Sequence, residues 1–338
     1  MYSSGEMKLA LLVFSFFSRF VSRIKNSLYD HRLLRPSRSP IPVISVGNIS
    51  FGGTEKTPLA LELLSRLAAS GRRPALVSRG YKGRWEKRGG VLSDGRAILG
   101  TWQDGGDEPY LIARSLPAVG VYVGKDRLAS CRRAAASGFN IAVLDDGFQH
   151  RKLARDLDIV LYSPQEKVAL REPPFAVRRS DILLVKDGEQ RDKAIERLHG
   201  RWEGSIFSYS VVVRGLFDFR TGGLTPLEKV AKMRLVAFCG IARPGRFEET
   251  LRKSGLEVAS FLPFPDHHAY PPASLKKIMR ACRIQKADGL ITTGKDAVKL
   301  AGRNEEWNGT PIYVLEIGLA LGPGFADRWR TFLEKQER

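Results

Sequence analysis

The order strand, glycine-rich turn, helix between Val43 and Pro58 constrains this chain more than any other feature. The segment reads VISVGNISFGGTEKTP. An apolar run of strand character ends in glycines, and the turn passes directly into Lys56-Thr57 and a helix start. A loop of this design wraps phosphate. Glycines let backbone N–H groups converge, lysine reaches the outer phosphates, and a threonine hydroxyl can ligate Mg²⁺. The expectation is a nucleoside triphosphate site built from Gly52, Gly53, Thr54, Glu55, Lys56 and Thr57. A tight strand-to-helix turn with a solvated lysine is the plainer alternative. One residue breaks the pattern: the position before the lysine, usually glycine, is Glu55.

The same alternation continues downstream. Pro58 suits a first helical turn, Leu59–Ala69 supplies the helix, and Gly71 ends it. Strands are expected at Ala75–Ser78, Ala118–Val123, Ile141–Leu144, Ile159–Tyr162 and Ile182–Val185. Helices are expected from Asp107 to about Leu116 and over Asp126–Ala136. Short apolar runs alternating with helices predict an α/β fold, P-loop NTPase-like, its mostly parallel sheet covered by helices on both faces. Ligands of such sheets sit beyond the carboxyl ends of the strands. Near residue 205 the texture changes. Ser205–Arg214 alternates and Thr221-Gly222-Gly223 is a turn, which reads as a hairpin joining a smaller α/β unit. That unit has strands expected at Leu235–Cys239, Glu257–Phe261, Gly289–Thr292 and Ile312–Leu315. Three segments result: 1–39, 40–204 and 205–338.

Composition matters for the partner. Lys and Arg number 55 against 36 Asp and Glu, a net charge of +19 over 338 residues. That excess favours nucleic acid, an anionic membrane or a phosphorylated substrate. No helix-turn-helix, RNP or zinc-finger pattern is present and the basic residues are spread along the chain, so nucleic acid is not expected. Nothing marks an obligate protein partner. Cys131, Cys239 and Cys282 lie too far apart for a CxxC knuckle or a disulfide framework, which points to a reducing cytosol. At the N-terminus Leu9–Phe17 is too short an apolar run to span a bilayer. Beyond it Val13, Phe16, Phe17, Phe20, Ile24 and Leu28 fall on one helical face. A basic amphipathic helix of this kind suits the headgroups of an anionic leaflet, and equally suits a helix packed on its own core.

Two acidic motifs stand out. Ile141–Leu144 runs into Asp145-Asp146, which places two carboxylates at a strand's carboxyl end, where loop-type NTPases hold Mg²⁺. Adjacent aspartates repel, and a bound cation is a natural reason for them; a cap or turn is the alternative. Asp107-Glu108-Pro109 reads by itself as a helix start. His267 and His268 read by themselves as turn residues, and Thr292-Thr293-Gly294-Lys295-Asp296 as an anion-facing loop or a capped helix.

Taken in order, GNISFGGTEKTP, LVSRGYKG, GDEPYLIA, VGKDR, LDDGFQHRKLARDLDIVL, LREP, FPDHHAY and TTGKDAVKL resemble the tetraacyldisaccharide 4'-kinases of lipid A synthesis. The resemblance spans the N-terminal helix to about residue 300. It implies ATP-dependent phosphorylation of the 4'-hydroxyl of a tetraacyl, lipid-linked glucosamine disaccharide 1-phosphate. The cofactors implied are ATP and Mg²⁺. The seat implied is the cytoplasmic face of the bacterial inner membrane, held there peripherally or monotopically by the N-terminal helix. By the same resemblance Lys56 and Thr57 are the phosphate lysine and the magnesium hydroxyl, and Asp145 and Asp146 the acids near the metal. Asp107 is the general base, His267 its partner, and Glu172 a further acid near the metal. Arg79, Gln149 and Arg171 fall in motifs that line the lipid site.

Two positions depart from the family pattern. Glu55 replaces glycine, and Gly294 stands where the family usually carries glutamate. Two unit charges 4 Å apart repel by roughly 4 kcal/mol at an effective dielectric near 20, so Glu55 must point away, reshape the loop or weaken triphosphate binding. One expectation is a swap, with Glu55 filling the space that Gly294 vacates. A catalytically impaired nucleotide- or lipid-binding homologue is the alternative function.

Overall fold

The computed structural model describes residues 23–336, apart from residues 25, 52–54, 164–169, 189–191, 195 and 197–201. Gly52, Gly53, Thr54 and the helical face Val13–Phe20 lie outside the described residues. The first unit runs β1 (Val43–Asn48), α1 (Lys56–Ala69), β2 (Pro74–Ser78), β3 (Gly90–Asp94), α2 (Asp107–Ser115), β4 (Gly120–Val123), α3 (Arg127–Ala136), β5 (Ile141–Leu144), β6 (Leu157–Tyr162) and β7 (Ile182–Lys186). Then follow β8 (Ser205–Asp218), β9 (Leu224–Thr225), β10 (Arg234–Cys239), α4 (Pro244–Lys253), β11 (Glu257–Pro263), α5 (Pro272–Gln285), β12 (Gly289–Thr293), β13 (Ile312–Leu321) and α6 (Phe325–Lys335).

All these strands join one sheet, in the order β11-β10-β12-β13-β8-β7-β6-β1-β5-β2-β4-β3, with β9 beside β8. Pairing is parallel except for β3 with β4, β8 with β9 and β8 with β13. The α/β expectation therefore holds. The phosphate-loop strand β1 lies inside the sheet, flanked by β5 and β6.

Alternation along the strands explains why both faces need helices. Ile141 and Val143 pack in one cluster with Leu59, Leu63 and Leu67 of α1 and Ile112 of α2. Their neighbours Ala142 and Leu144 pack in another with Cys131 and Ala134 of α3. A strand buried on both sides has no polar face to give, which is why these runs read as continuously apolar. α6 returns from the far end of the chain: Phe325, Trp329 and Phe332 join the α1 side of the first unit's core.

Strand β8 sets the geometry of the whole molecule. Its first residues pair in parallel with β7, ending at Lys186 opposite Tyr209. It then runs past the end of β7 and pairs antiparallel with β13, from Leu321 opposite Tyr209 to Tyr313 opposite Asp218. Because β12 is parallel to β13 and β10 to β12, the second unit's strands point back at the first. The carboxyl ends of the two halves thus face each other across a cleft. The hairpin read from the sequence is present only as the two-residue β9; the longer partner of β8 is β13, about 90 residues downstream in the chain, a pairing that local turn signals do not reveal.

Candidate active site

The first unit contributes a cluster at the head of α1. Lys56 Nζ lies 3.0 Å from Asp146 Oδ1 and donates to Asn48 Oδ1 at 3.3 Å. Arg171 Nη1 reaches both oxygens of Asp146, at 2.9 and 2.7 Å, and its guanidinium lies over the Phe51 ring. Burial opposes the charge on Asp146, but Lys56 and Arg171 outweigh it and hold this carboxyl well below the usual range. Asp145 differs. It is 4 % exposed and accepts from the Ser78 hydroxyl at 3.2 Å. Burial, then Glu108 and Asp146, push its carboxyl up to about 7. Asp145 Oδ1 is buried with no hydrogen-bond partner.

The second cluster spans the cleft. Asp107 opens α2 behind Gly106, whose φ of 90° favours glycine and where a Cβ would lie a tight 3.0 Å from the Tyr81 carbonyl oxygen. Its carboxylate is 5 % exposed and meets His267 Nδ1 at 3.1 and 2.9 Å. His267 comes from the second unit, in the loop after β11, with a left-handed backbone (φ 62°). Strain of this kind persists only where the surroundings fix it; here the His267 N–H donates to the Gly240 carbonyl and Tyr81 meets the ring edge-on at 5.5 Å. Lys299 Nζ, fully buried, lies 3.6 Å from Asp107 and 2.9 Å from Asp296. Burial works against an ionised Asp107, but His267, Lys295 and Lys299 together draw its carboxyl down to about 2.

Glu108 joins the two clusters. It accepts from Lys295 Nζ at 3.0 Å and is the largest charge raising Asp145. Burial depresses Lys295, while Glu108, Asp107 and Asp266 more than compensate and raise it. Among the sequence-predicted residues, Lys56, Asp145, Asp146, Arg171, Asp107 and His267 therefore share one cleft. Thr57 sits in the first turn of α1. Gln149 braces the loop from behind, its Nε2 donating to the Asn48 carbonyl at 2.7 Å. Arg79 is half exposed and pairs with Glu86 at 2.6 Å. Glu172 is buried; its Oε2 accepts from Asn26 and Arg179, both at 2.6 Å, while its Oε1, like Asp145 Oδ1, has no hydrogen-bond partner. The sequence alone assigns no role to Lys299 or Tyr81, and gives Lys295 only a place in an anion-facing loop or a capped helix. Only the spacing of Asp296 and Lys299, one helical turn apart, hinted at the buried pair.

The swap of Glu55 with Gly294 fails. The Glu55 carboxylate bonds Arg246 and Tyr209, whereas a side chain at Gly294 would first meet Leu111 at 3.3 Å.

The sequence was compared with known proteins. The family model described as tetraacyldisaccharide-1-P 4'-kinase (LpxK) matches residues 7–336. The chain belongs to that family. Relatives named tetraacyldisaccharide 4'-kinase include one from Syntrophus aciditrophicus (strain SB), 39% identical over 87% of this chain and 84% of its own length. Another, from Pelobacter propionicus, is 34% identical over 97% of this chain and 93% of its own. Among solved structures, LpxK from Aquifex aeolicus, crystallised in complex with ATP, superposes with a TM-score of 0.76 at 29% identity. That match covers 98% of this chain and 99% of the other.

Proposed function

We propose that this chain transfers the γ-phosphoryl group of ATP to the 4'-hydroxyl of a tetraacyl glucosamine disaccharide 1-phosphate in lipid A biosynthesis. The observation that carries the reading is the buried Asp107–His267 pair, assembled from both units beside Lys56 and Asp146. Phosphoryl transfer needs positioning and charge neutralisation more than covalent chemistry from the protein. Lys56, at the head of α1, is placed to reach the outer phosphates. Asp107 accepts the proton of the acceptor hydroxyl as its oxygen attacks the γ-phosphorus and the bond to the ADP oxygen breaks. A carboxyl held at about 2 is ionised throughout the physiological range. His267 Nδ1 orients the carboxylate toward the acceptor hydroxyl, and that same bond does most to lower its basicity.

The residues fit a divalent cation. Asp145 Oδ1 is an orphaned carboxylate oxygen in a crowd of like charge. Among the described residues no three acidic, histidine or cysteine side chains converge into a complete metal shell; Mg²⁺ is commonly held by one or two carboxylates with substrate phosphates completing the set. Thr57, Asp145 and Asp146 would hold it, and bound there it supplies charge neutralisation on the phosphates.

The substrate's acyl chains point to a membrane surface. No helix among the described residues is long and apolar enough to cross a membrane. Ile24, Leu28, Leu33, Leu34 and Phe175 are nevertheless exposed, and Arg23 stacks over Phe175. Apolar side chains with basic neighbours suit a peripheral seat on an anionic leaflet, here the cytoplasmic face of the inner membrane. The impaired-homologue reading is not favoured, since the Glu55 charge is paired with Arg246.

Incubation with γ-labelled ATP, Mg²⁺ and the detergent-dispersed disaccharide acceptor tests the assignment. Label is expected in the lipid fraction after chromatography. Hydrolysis of ATP with no labelled lipid would contradict it.

A further inference from the structure

Glu55 heads α1 with a left-handed backbone, φ 55°. That conformation favours glycine, so the glutamate is held by its distant partners rather than by local preference. Arg246 Nη1, on α4 of the second unit and 191 residues away, donates to Glu55 Oε1. The Tyr209 hydroxyl donates to Oε2 at 3.4 Å. Tyr209 is itself the residue at which β8 leaves β7 and joins β13. Three elements therefore converge on one carboxylate: the exit of the phosphate loop, the strand that joins the two units, and a helix of the far unit. The Glu55 side chain is 11 % exposed and that of Arg246 39 %.

We propose that Glu55 and Arg246 form a charge latch that fastens the phosphate loop to the second unit, making Arg246 a positioning residue for ATP. The proposal rests on reading this loop as the ATP site. A carboxylate next to the phosphate lysine repels a polyphosphate unless its charge is cancelled and its oxygens are turned away. Arg246 does both. It follows that Arg246 matters because Glu55 is there. A chain with glycine at this position has no charge to cancel and no side chain to grip, so its α4 arginine would be dispensable for nucleotide binding.

A double-mutant cycle reads this directly. Dissociation constants for Mg-ATP are measured by calorimetry, and KM values for ATP and for the lipid acceptor by kinetics. The proteins are wild type, Arg246→Ala, Arg246→Lys, Glu55→Gly and the Glu55→Gly/Arg246→Ala pair. Arg246→Ala is expected to weaken Mg-ATP binding about tenfold and to leave the KM for lipid within about twofold, because the uncancelled charge faces only the nucleotide. In the Glu55→Gly background the same change is expected to cost less than about threefold. Arg246→Lys, which keeps the charge and tests the idea even if the alanine variant folds poorly, is expected to recover most of the affinity. Equal losses in both backgrounds, or no loss beside Glu55, would overturn the latch. Failure of the wild-type protein to bind Mg-ATP at all would overturn the ATP-site reading itself, and the latch with it.

Discussion

Asp107 and Asp145 are buried to the same degree, 5 % and 4 % exposed, yet their surroundings push them in opposite directions. Asp107 is drawn down to about 2 by His267 and two lysines, against the effect of burial. Asp145 is driven up to about 7 by burial and two neighbouring carboxylates. Burial alone does not decide the charge of a buried acid; the sign and number of groups facing it do. One region of the cleft arrives with its anion already matched. The other holds an excess of negative charge that a cation would complete. The same contrast separates a base, which must stay ionised, from a metal site, which must stay short of positive charge.

The contrast can be broken most severely at Lys299. It is fully buried and pairs with Asp296 and Asp107. Lys299→Met leaves two buried carboxylates short of a cation and should destabilise the fold by about 3–5 kcal/mol in chemical denaturation. Loss of less than about 1 kcal/mol would show that the pair is solvated.

The pH dependence of stability, without Mg²⁺, sharpens the opposite signs. The native state holds the Asp145 proton up to about 7, whereas an unfolded aspartate loses it near 4. Stability contributed by the neutral form is full at acid pH and declines as pH rises between those values. Asp145→Asn should remove that decline, worth up to about a few kcal/mol. The contribution of Asp107 runs the other way, present above about 4 and lost as pH falls through about 2. An unchanged slope between pH 4 and 7 in Asp145→Asn would count against the assignment.

His267→Ala removes the side-chain bond that does most to lower Asp107. Turnover should fall roughly 10–100-fold and the acid limb of the kcat–pH profile should move upward. An unmoved limb would mean that His267 does not tune the carboxylate. The smallest effect belongs to Arg79, whose exposed pair with Glu86 should contribute less than about 0.5 kcal/mol to stability. Arg79→Ala should therefore leave melting unchanged, and a rise in KM confined to the lipid acceptor would support a place in the lipid site.

The sheet was legible because its strands are short apolar runs buried on both faces, such as Ile141–Leu144, and because Pro58, Gly71 and Asp126 punctuate the helices that follow or precede them. What was not legible depends on long-range pairing. Nothing near Ser205 announces that β8 will pair with β13, nor does anything near Phe325 announce that α6 will return to the first core. Lys56, Asp145 and Asp146 could be read because strand ends and a glycine turn locate them. Asp107 and His267 by themselves looked like a helix start and a turn; a bond between residues 160 positions apart exists only because the two units face each other. Arg246 carried no local sign, since its partner Glu55 lies in the other unit. Glu172 was located by its motif beside Arg171, which reaches Asp146, but the bonds of its Oε2 to Asn26 and Arg179 carried no local sign.

Asp107→Asn is the most direct probe, because it removes the charge and keeps the shape. Its Mg-ATP dissociation constant and its single-turnover transfer rate should be measured together. Transfer is expected to fall by about 10³-fold while nucleotide affinity stays within about threefold, the signature of a group acting only in the transition state. Parallel loss of affinity and rate, or transfer close to wild type, would contradict the division of labour between the two buried acids.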